Sequence, residues 1–577
     1  MDFWYAYICM GLIYAVMAIA LNLIVGYAGI NSVGSAAFAA IGGYTTALVG
    51  IHQQWPLLPT VIASVVVGTV VAVALSAPIL GLAQEYVMLI TMAMSILVSD
   101  IASSTTSLGG QTGLIGLPAP QLLGKVLLVP ADFLPLLIGV LVLASFIAWR
   151  LGESPFGRLM RATRDDDLGV RSLGKSTLGR KVLVFGISCA LTSAAGALLV
   201  LYNGLATPTL FSLDQTLLVF AMVVIGGISS VPGSIVGAFI VVFLEPVLQQ
   251  TLAMSPEDSA GIRPIVFGVA LVLIVRFRPA GIIPERHHVP RVRKAVTEAP
   301  VAQPGALTVL EAKPAINPAE PETAPVVVEI RGLAKRFGGV VAVNGLDLKL
   351  REGLVTALVG ANGAGKSTVF NLITGAIAPD EGTVLLNGDD ITRLSPQQVA
   401  RRGMVRSFQD LRVFNELTPM ENVMLAGRHH PGESAAGVFL RPLASRRHDR
   451  ELAEKSAEWL EFVGLDPAHK ARARDMSFAQ QKQVAFARVL ATEASVFLLD
   501  EPLSGIEGRA ADDMLTLVER VRETGRTICV VEHSIQAISR LSDWAYFMEG
   551  GSVSAEGSIH DLLADPRLGE AYFGAVS

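Results

Sequence analysis

Val355-Thr-Ala-Leu-Val-Gly360-Ala-Asn362-Gly363-Ala-Gly365-Lys366-Ser367-Thr368 runs from an apolar strand pattern through a glycine-rich turn into a helical pattern. That order is the context a phosphate-binding loop requires. The glycines let backbone N–H groups wrap phosphate oxygens at a helix N-terminus, where an anion is favoured. Lys366 is placed to reach the β and γ phosphates, and Ser367 to ligate Mg²⁺. The loop alone says only "nucleotide". Its complement is Val496-Phe-Leu-Leu-Asp500-Glu501, an apolar strand ending in two acids. Asp500 is expected to hold Mg²⁺, and Glu501 to polarise an attacking water.

Around these two motifs, β-rich runs at 326–330, 354–359, 496–499 and 527–531 alternate with helical patterns such as 367–374, predicting a soluble α/β domain. The other half of the chain has a different character. Residues 1–149 contain only Asp2, Glu85, Asp100, Lys125 and Asp132 as formally charged side chains. Overall, 51% of the 577 residues are hydrophobic and 16% are charged, against about 25% charged in a soluble average.

Apolar stretches long enough to cross a hydrocarbon core of about 30 Å recur in this half. They lie at 3–25, 33–51, 57–80, 84–101, 128–149, 182–203, 215–231, 233–252 and 262–278, so about nine spans are expected, with eight to ten compatible. The first is expected to be a retained span, because no Lys or Arg precedes it and its apolar run exceeds that of a signal peptide. Arg150, Arg158, Arg161, Arg164, Arg171, Lys175, Arg180 and Lys181 share one loop, and Arg276, Arg278, Arg286, Arg291 and Arg293 follow the last span. Basic residues mark the cytoplasmic side. With nine spans, the N-terminus falls outside.

Residues 289–325 turn to Pro, Ala and Glu without a periodicity that could bury a core, and are read as a flexible linker. The expected organisation is therefore 1–288 membrane domain, 289–325 linker and 326–577 nucleotide domain. Cys9, Cys189 and Cys529 have neither the number nor the spacing of a disulfide framework or a zinc site, and are read as inert core thiols. A net charge of −5 gives no basic field to recruit nucleic acid.

Further residues carry a resemblance. Phe337 in Lys-Arg-Phe-Gly-Gly, Gln409 in Ser-Phe-Gln-Asp, Met476-Ser477-Phe478-Ala479-Gln480 and His533 in Val-Val-Glu-His-Ser follow one another in the order found in ATP-binding-cassette (ABC) ATPases. The nucleotide half resembles that family. The resemblance implies that Phe337 stacks on adenine and that His533 is the switch histidine. It also implies that Gln409 links the γ-phosphate and its Mg²⁺ to the membrane domain, and that Ser477, Ala479 and Gln480 contact nucleotide on a partner domain. The catalytic set is then Glu501, His533 and Gln409. Gly360, Asn362, Gly363, Gly365, Lys366, Ser367 and Thr368 make up the rest of the nucleotide-binding set, with Ser367, Gln409 and Asp500 toward the metal. Two departures stand out. Ala479 replaces a glycine, which costs about 1–2 kcal/mol if the position takes a left-handed backbone. Leu503-Ser-Gly-Ile-Glu-Gly508 lacks the usual Asp.

The membrane half resembles the permease subunit of bacterial branched-chain amino-acid importers. The resemblance is carried by the small-residue stretch Asn22 to Tyr44, Gly109-Gly-Gln-Thr-Gly113, Ser154 to Asp166, Val224 to Gly233 and Phe277 to Gly281. The nucleotide half is similar to the same system's ATP-binding subunit, including an insertion around 428–462. The resemblance implies a polytopic α-helical membrane domain followed by an α/β P-loop ABC ATPase domain, with ATP and Mg²⁺ as cofactors.

It also implies partners: a second permease and a second ATPase domain, whether another copy or a paralogue, and an extracytoplasmic substrate-binding protein. The location would be a bacterial inner membrane. The cargo would be a branched-chain amino acid, the alternatives being urea, amides or another small carboxylate. A half-size exporter and an ATP-gated channel or membrane regulator are the rival classes. Arg158 to Lys175 holds either a coupling helix or a solvated, orientation-setting loop. The 22–44 stretch serves either close helix packing or a translocation path. Glu245, before Pro246, is an intramembrane carboxylate serving either transport or a structural hydrogen bond.

Overall fold

The computed structural model describes residues 2–122, 124–251, 256–278, 280–285, 321–407, 412–428 and 430–564. It divides into two compact units. The first comprises 1–164, 177–288 and 432–442; the second comprises 165–176, 289–431 and 443–577.

The first unit is helical. Among the described residues, a helix stands on each of the nine apolar stretches, and five of these helices are long and apolar enough to cross a membrane. They are Phe3–Tyr27, Leu57–Ile79, Gln84–Ser104, Pro130–Gly152 and Leu178–Asn203. Phe3–Tyr27 and Leu178–Asn203 are largely buried, whereas the other three leave most of their surface uncovered. Ile62, Val66, Val70 and Val73 recur at helical spacing along one such exposed stripe. A helix that is apolar all round belongs either in a core or against lipid, and this bundle contains both kinds.

One expected span is cut short. Helix Leu213–Gly226 ends five residues before position 231, because Gly227 turns out at φ +132°. The carbonyls of Ile225 and Gly226 are then taken by the N–H groups of Ile282 and Ile283, at 3.0 and 2.9 Å. At about 1.5 Å per residue, a helix of this length falls short of the hydrocarbon core.

Most glycines of the 22–44 stretch act in packing. A Cβ on Gly42 would strike the backbone of Ser193, and one on Gly196 would strike that of Ala39, so helices Ser35–Gln53 and Leu178–Asn203 meet backbone to backbone. This is small-residue contact of the kind membrane helices use.

The second unit is built on a six-stranded sheet in the order Met404–Arg406, Val496–Asp500, Thr527–Val531, Val355–Gly360, Trp544–Glu549, Ser552–Ser558. All neighbours are parallel except the last pair. Successive residues of the central strands feed opposite cores. Phe497, Leu499, Ile528 and Val530 join one cluster, and Val496, Leu498, Cys529 and Val531 the other. Burial on both faces explains why these strands are unbroken apolar runs in sequence. An antiparallel sheet of Val340–Arg351, Val326–Phe337, Glu381–Leu386 and Asp389–Asp390 completes the unit. Cys9, Cys189 and Cys529 are all free and buried.

Candidate nucleotide site

Strand Val355–Gly360 is buried along its whole length and delivers the chain to residues 361–365, after which helix Lys366–Ile373 begins. Gly365 has φ +102°, and a Cβ there would run into the Ala342 carbonyl. Only glycine fits both the torsion and the space. Asn362 and Gly363 are exposed beside Ala361, and Ser367 and Thr368 form the first turn of the helix. Lys366 is buried, and its Nζ donates to the carbonyls of Gly360 (2.6 Å) and Ala361 (3.0 Å). Burial lowers its pKa, while the nearby charges of Glu501 and Asp500 oppose that shift.

Asp500 is 1% exposed. Its Oδ2 accepts from Arg406 Nη2 at 2.5 Å, and its backbone N–H donates to Ser407 Oγ at 3.1 Å. Oδ1 is buried with no hydrogen-bond partner among the described residues. An orphaned, buried carboxylate oxygen beside the phosphate loop suits a hard cation, so the residues fit Mg²⁺. Arg406 Nη1 reaches Asn371 Oδ1 (2.6 Å) on the phosphate-loop helix, and the guanidinium lies 5.4 Å from the Phe370 ring. Burial pushes the Arg406 pKa down and the Asp500 charge opposes this.

Glu501 leaves the strand with φ +47°, a left-handed conformation unusual for a residue with a side chain. Its Oε1 lies 3.1 Å from His533 Nε2. Two residues to which the sequence reading gives no role hold this turn. Lys482 Nζ donates to the carbonyls of Pro502 (2.9 Å) and Glu501 (3.3 Å), and Glu532 accepts from the N–H of Leu503 at 2.8 Å. Burial raises the Glu532 pKa, and its backbone hydrogen bonds from Leu503 and His533 partly offset this.

The expected residues are not all gathered in one place. Phe337 ends its strand half-exposed, with Lys335 Nζ 5.7 Å from its ring. Ser477 and Gln480 bond reciprocally, Gln480 N–H to Ser477 Oγ (3.3 Å) and Ser477 N–H to Gln480 Oε1 (3.1 Å). This capping box fixes the first turn of helix Phe478–Leu490. Ala479 lies inside that turn and is not among the side-chain-bearing residues with positive φ. The condition for a strain cost is therefore not met: the helix start gives Ala479 a right-handed backbone. Gln409 lies outside the described residues.

Residues 165–176 belong to this second unit. Arg412 Nη1 donates to both carboxylate oxygens of Asp166 at 3.0 Å, the Glu416 N–H donates to Asp165 (2.9 Å), and Arg401 Nε donates to the Gly174 carbonyl (2.9 Å). Lys175 Nζ donates to the Gly427 carbonyl. In the first unit, Arg164 Nη1 donates to the Gly26 carbonyl (2.5 Å) and Ser229 Oγ (2.7 Å), and Asn22 bonds to Gly227, Ser229, Ser230 and Ser234. These contacts tie the π-helical turn Leu23–Tyr27 to the break at 227–230. Glu245 is half-buried in helix Val231–Thr251.

Comparison with known proteins agrees in both halves. Residues 5–275 match the family model of the branched-chain amino acid transport system permease component, and residues 343–504 match that of the ABC transporter ATPase. The high-affinity branched-chain amino acid transport ATP-binding protein BraF of Pseudomonas aeruginosa is 37% identical over 43% of this chain and 98% of its own length. LivG of Escherichia coli, a protein of the same description, is 33% identical over 43% of this chain and 98% of its own length. A nucleotide-free ATP-binding cassette from an ABC transporter is a solved structure at 32% identity, covering 43% of this chain and 99% of its own, with a TM-score of 0.38. The nucleotide half binds nucleotide and is an ATP hydrolase coupled to transport. The chain belongs to the branched-chain amino acid family of ABC transporters, with a permease component and an ATP-binding component fused in one polypeptide.

Proposed function

We propose that this protein drives uptake of branched-chain amino acids across a bacterial inner membrane as one fused subunit of a binding-protein-dependent importer. Residues 1–288 would form the permease, 289–325 a tether and 326–577 the ATPase, with the ATPase cytoplasmic. One observation carries the reading: the permease-model match and the ATPase relatives point separately to the same transport system. One permease cannot enclose a pathway alone. The assembly therefore needs a second permease and a second ATPase domain, from another copy or a paralogue, together with an extracytoplasmic binding protein that selects the cargo.

In this reading, Phe337 stacks on adenine while the N–H groups of residues 360–368 and the Lys366 ammonium bind the phosphates. Ser367, Gln409 and Asp500 would hold Mg²⁺, which when bound neutralises charge on the β and γ oxygens. Glu501 orients and polarises water, and His533, 3.1 Å away, fixes the carboxylate. Ser477, Ala479 and Gln480 complete the partner's site. Residues 165–176, held by Arg412, Glu416 and Arg401, carry the coupling.

The test is isolation of the intact complex, identification of its subunits by mass and titration of its binding protein with a panel of amino acids, urea, amides and small carboxylates. Binding of leucine, isoleucine or valine supports the reading. Selective binding of urea or an amide would reassign the cargo.

A further inference from the structure

Within the insertion at 428–462, the segment Gly432–Pro442 packs into the first unit. Two arginines hold it there. Arg150 Nη2 donates to the Val438 carbonyl at 2.8 Å, and Arg180 Nε donates to the Glu433 carbonyl at 2.9 Å, with its Nη2 3.4 Å from the Glu433 carboxylate. Arg150 is in the last turn of helix Pro130–Gly152, one of the five able to cross a membrane. Immediately before it stand Phe146 and Trp149, both about half exposed, with ring centroids 6.4 Å apart. An exposed Trp followed by Arg at the end of an apolar helix marks the membrane–water boundary. The segment is therefore anchored at the depth of the headgroups.

At that depth it presents a bare leucine with a partly covered phenylalanine beside it. In helix Ala435–Leu440, Gly437 and Val438 face inward, while Phe439 is 37% and Leu440 79% exposed. Arg441, which follows them in the same unit, is exposed as well. Large apolar residues left bare in water are a liability, whereas the same residues interleaved with arginines are the pattern of an element lying in a bilayer interface.

Resting on the reading of the chain as a membrane transporter, we propose that residues 439–441 form a lipid-contact element. Leu440 enters the headgroup–acyl boundary at the level of Trp149, with Phe439 beside it, and Arg441 engages anionic headgroups. The continuity with a membrane-crossing helix favours lipid over a protein partner as the occupant.

The test uses the full chain, assembled with its partner subunits in nanodiscs, carrying Leu440→Cys labelled with bimane. The three native thiols are buried, and peptide mass analysis verifies that they stay unlabelled. The quencher is a phospholipid with a nitroxide high on its acyl chain. Expected is quenching severalfold above that of a label at Asp389→Cys, which is exposed on the antiparallel sheet. It should also be greater with phosphatidylglycerol than with phosphatidylcholine alone, a difference abolished by Arg441→Gln. Phe146→Cys serves as the reference. If it is quenched while Leu440→Cys is not, the lipid-contact element is wrong and the membrane reading stands. If neither is quenched, the membrane reading fails. A Leu440→Cys label shielded from both lipid nitroxide and aqueous iodide would mean that a protein covers the patch, which overturns the proposal.

Discussion

Replacing Arg406 by Met should unsettle the nucleotide domain before any nucleotide is present. Arg406 and Asp500 are 6% and 1% exposed at their side chains, so removing the arginine leaves a buried carboxylate without its hydrogen-bonded cation. Breaking such a buried pair costs about 3–5 kcal/mol. At a urea slope of about 2 kcal/mol per molar, the midpoint should fall by roughly 2 M. Cys529 offers a local probe. It is buried and lies opposite Leu498 of the Asp500 strand, so its labelling in urea reports opening of this sheet. The double change Arg406→Met with Asp500→Asn should recover most of the loss. A single variant that opens at the wild-type urea concentration would refute the reasoning.

Ala479→Gly should not raise ATPase activity through relief of strain, because alanine already sits in a right-handed helical turn. Glycine there weakens the helix start by about 0.5–1 kcal/mol, so steady-state turnover is expected to hold or to fall up to about fivefold; a clear rise would show that closure is limited by bulk at this position. Glu501→Gln keeps the shape but not the charge, and should trap ATP with little turnover. Undiminished hydrolysis at this chain's own site would remove Glu501 from the role of base. Lys366→Ala should weaken nucleotide binding by at least tenfold, about 1.4 kcal/mol, measured with a fluorescent ATP analogue; unchanged affinity would displace the site.

The legible parts of this chain are those set by local physics. The phosphate loop was readable because its torsions demand glycine, as at Gly365, and the central strands because burial on both faces leaves continuous apolar runs. Apolar run length likewise located the membrane helices. What escaped depends on contacts distant in sequence. Arg406 meets Asp500 across 94 positions, and nothing in the sequence distinguishes it from a surface arginine. Glu532 stands beside a recognised histidine, yet its work is done on Leu503. The end of helix Leu213–Gly226 is set by Ile282 and Ile283, over fifty residues on, which no periodicity encodes. For Ala479 the motif departure leaves the backbone conformation open, and it is the capping box of Ser477 and Gln480 that fixes it as right-handed.

The central claim is that ATP turnover at Lys366, Asp500 and Glu501 drives uptake through the attached permease. Its most direct test is accumulation of labelled leucine, isoleucine or valine by proteoliposomes containing the assembled complex, with the ATPase domain and ATP on one side and the purified binding protein on the other. The account predicts accumulation against a gradient that requires both ATP and binding protein and is lost with Glu501→Gln. Equal flux of these amino acids without ATP, or with Glu501→Gln in both ATPase domains, would contradict it.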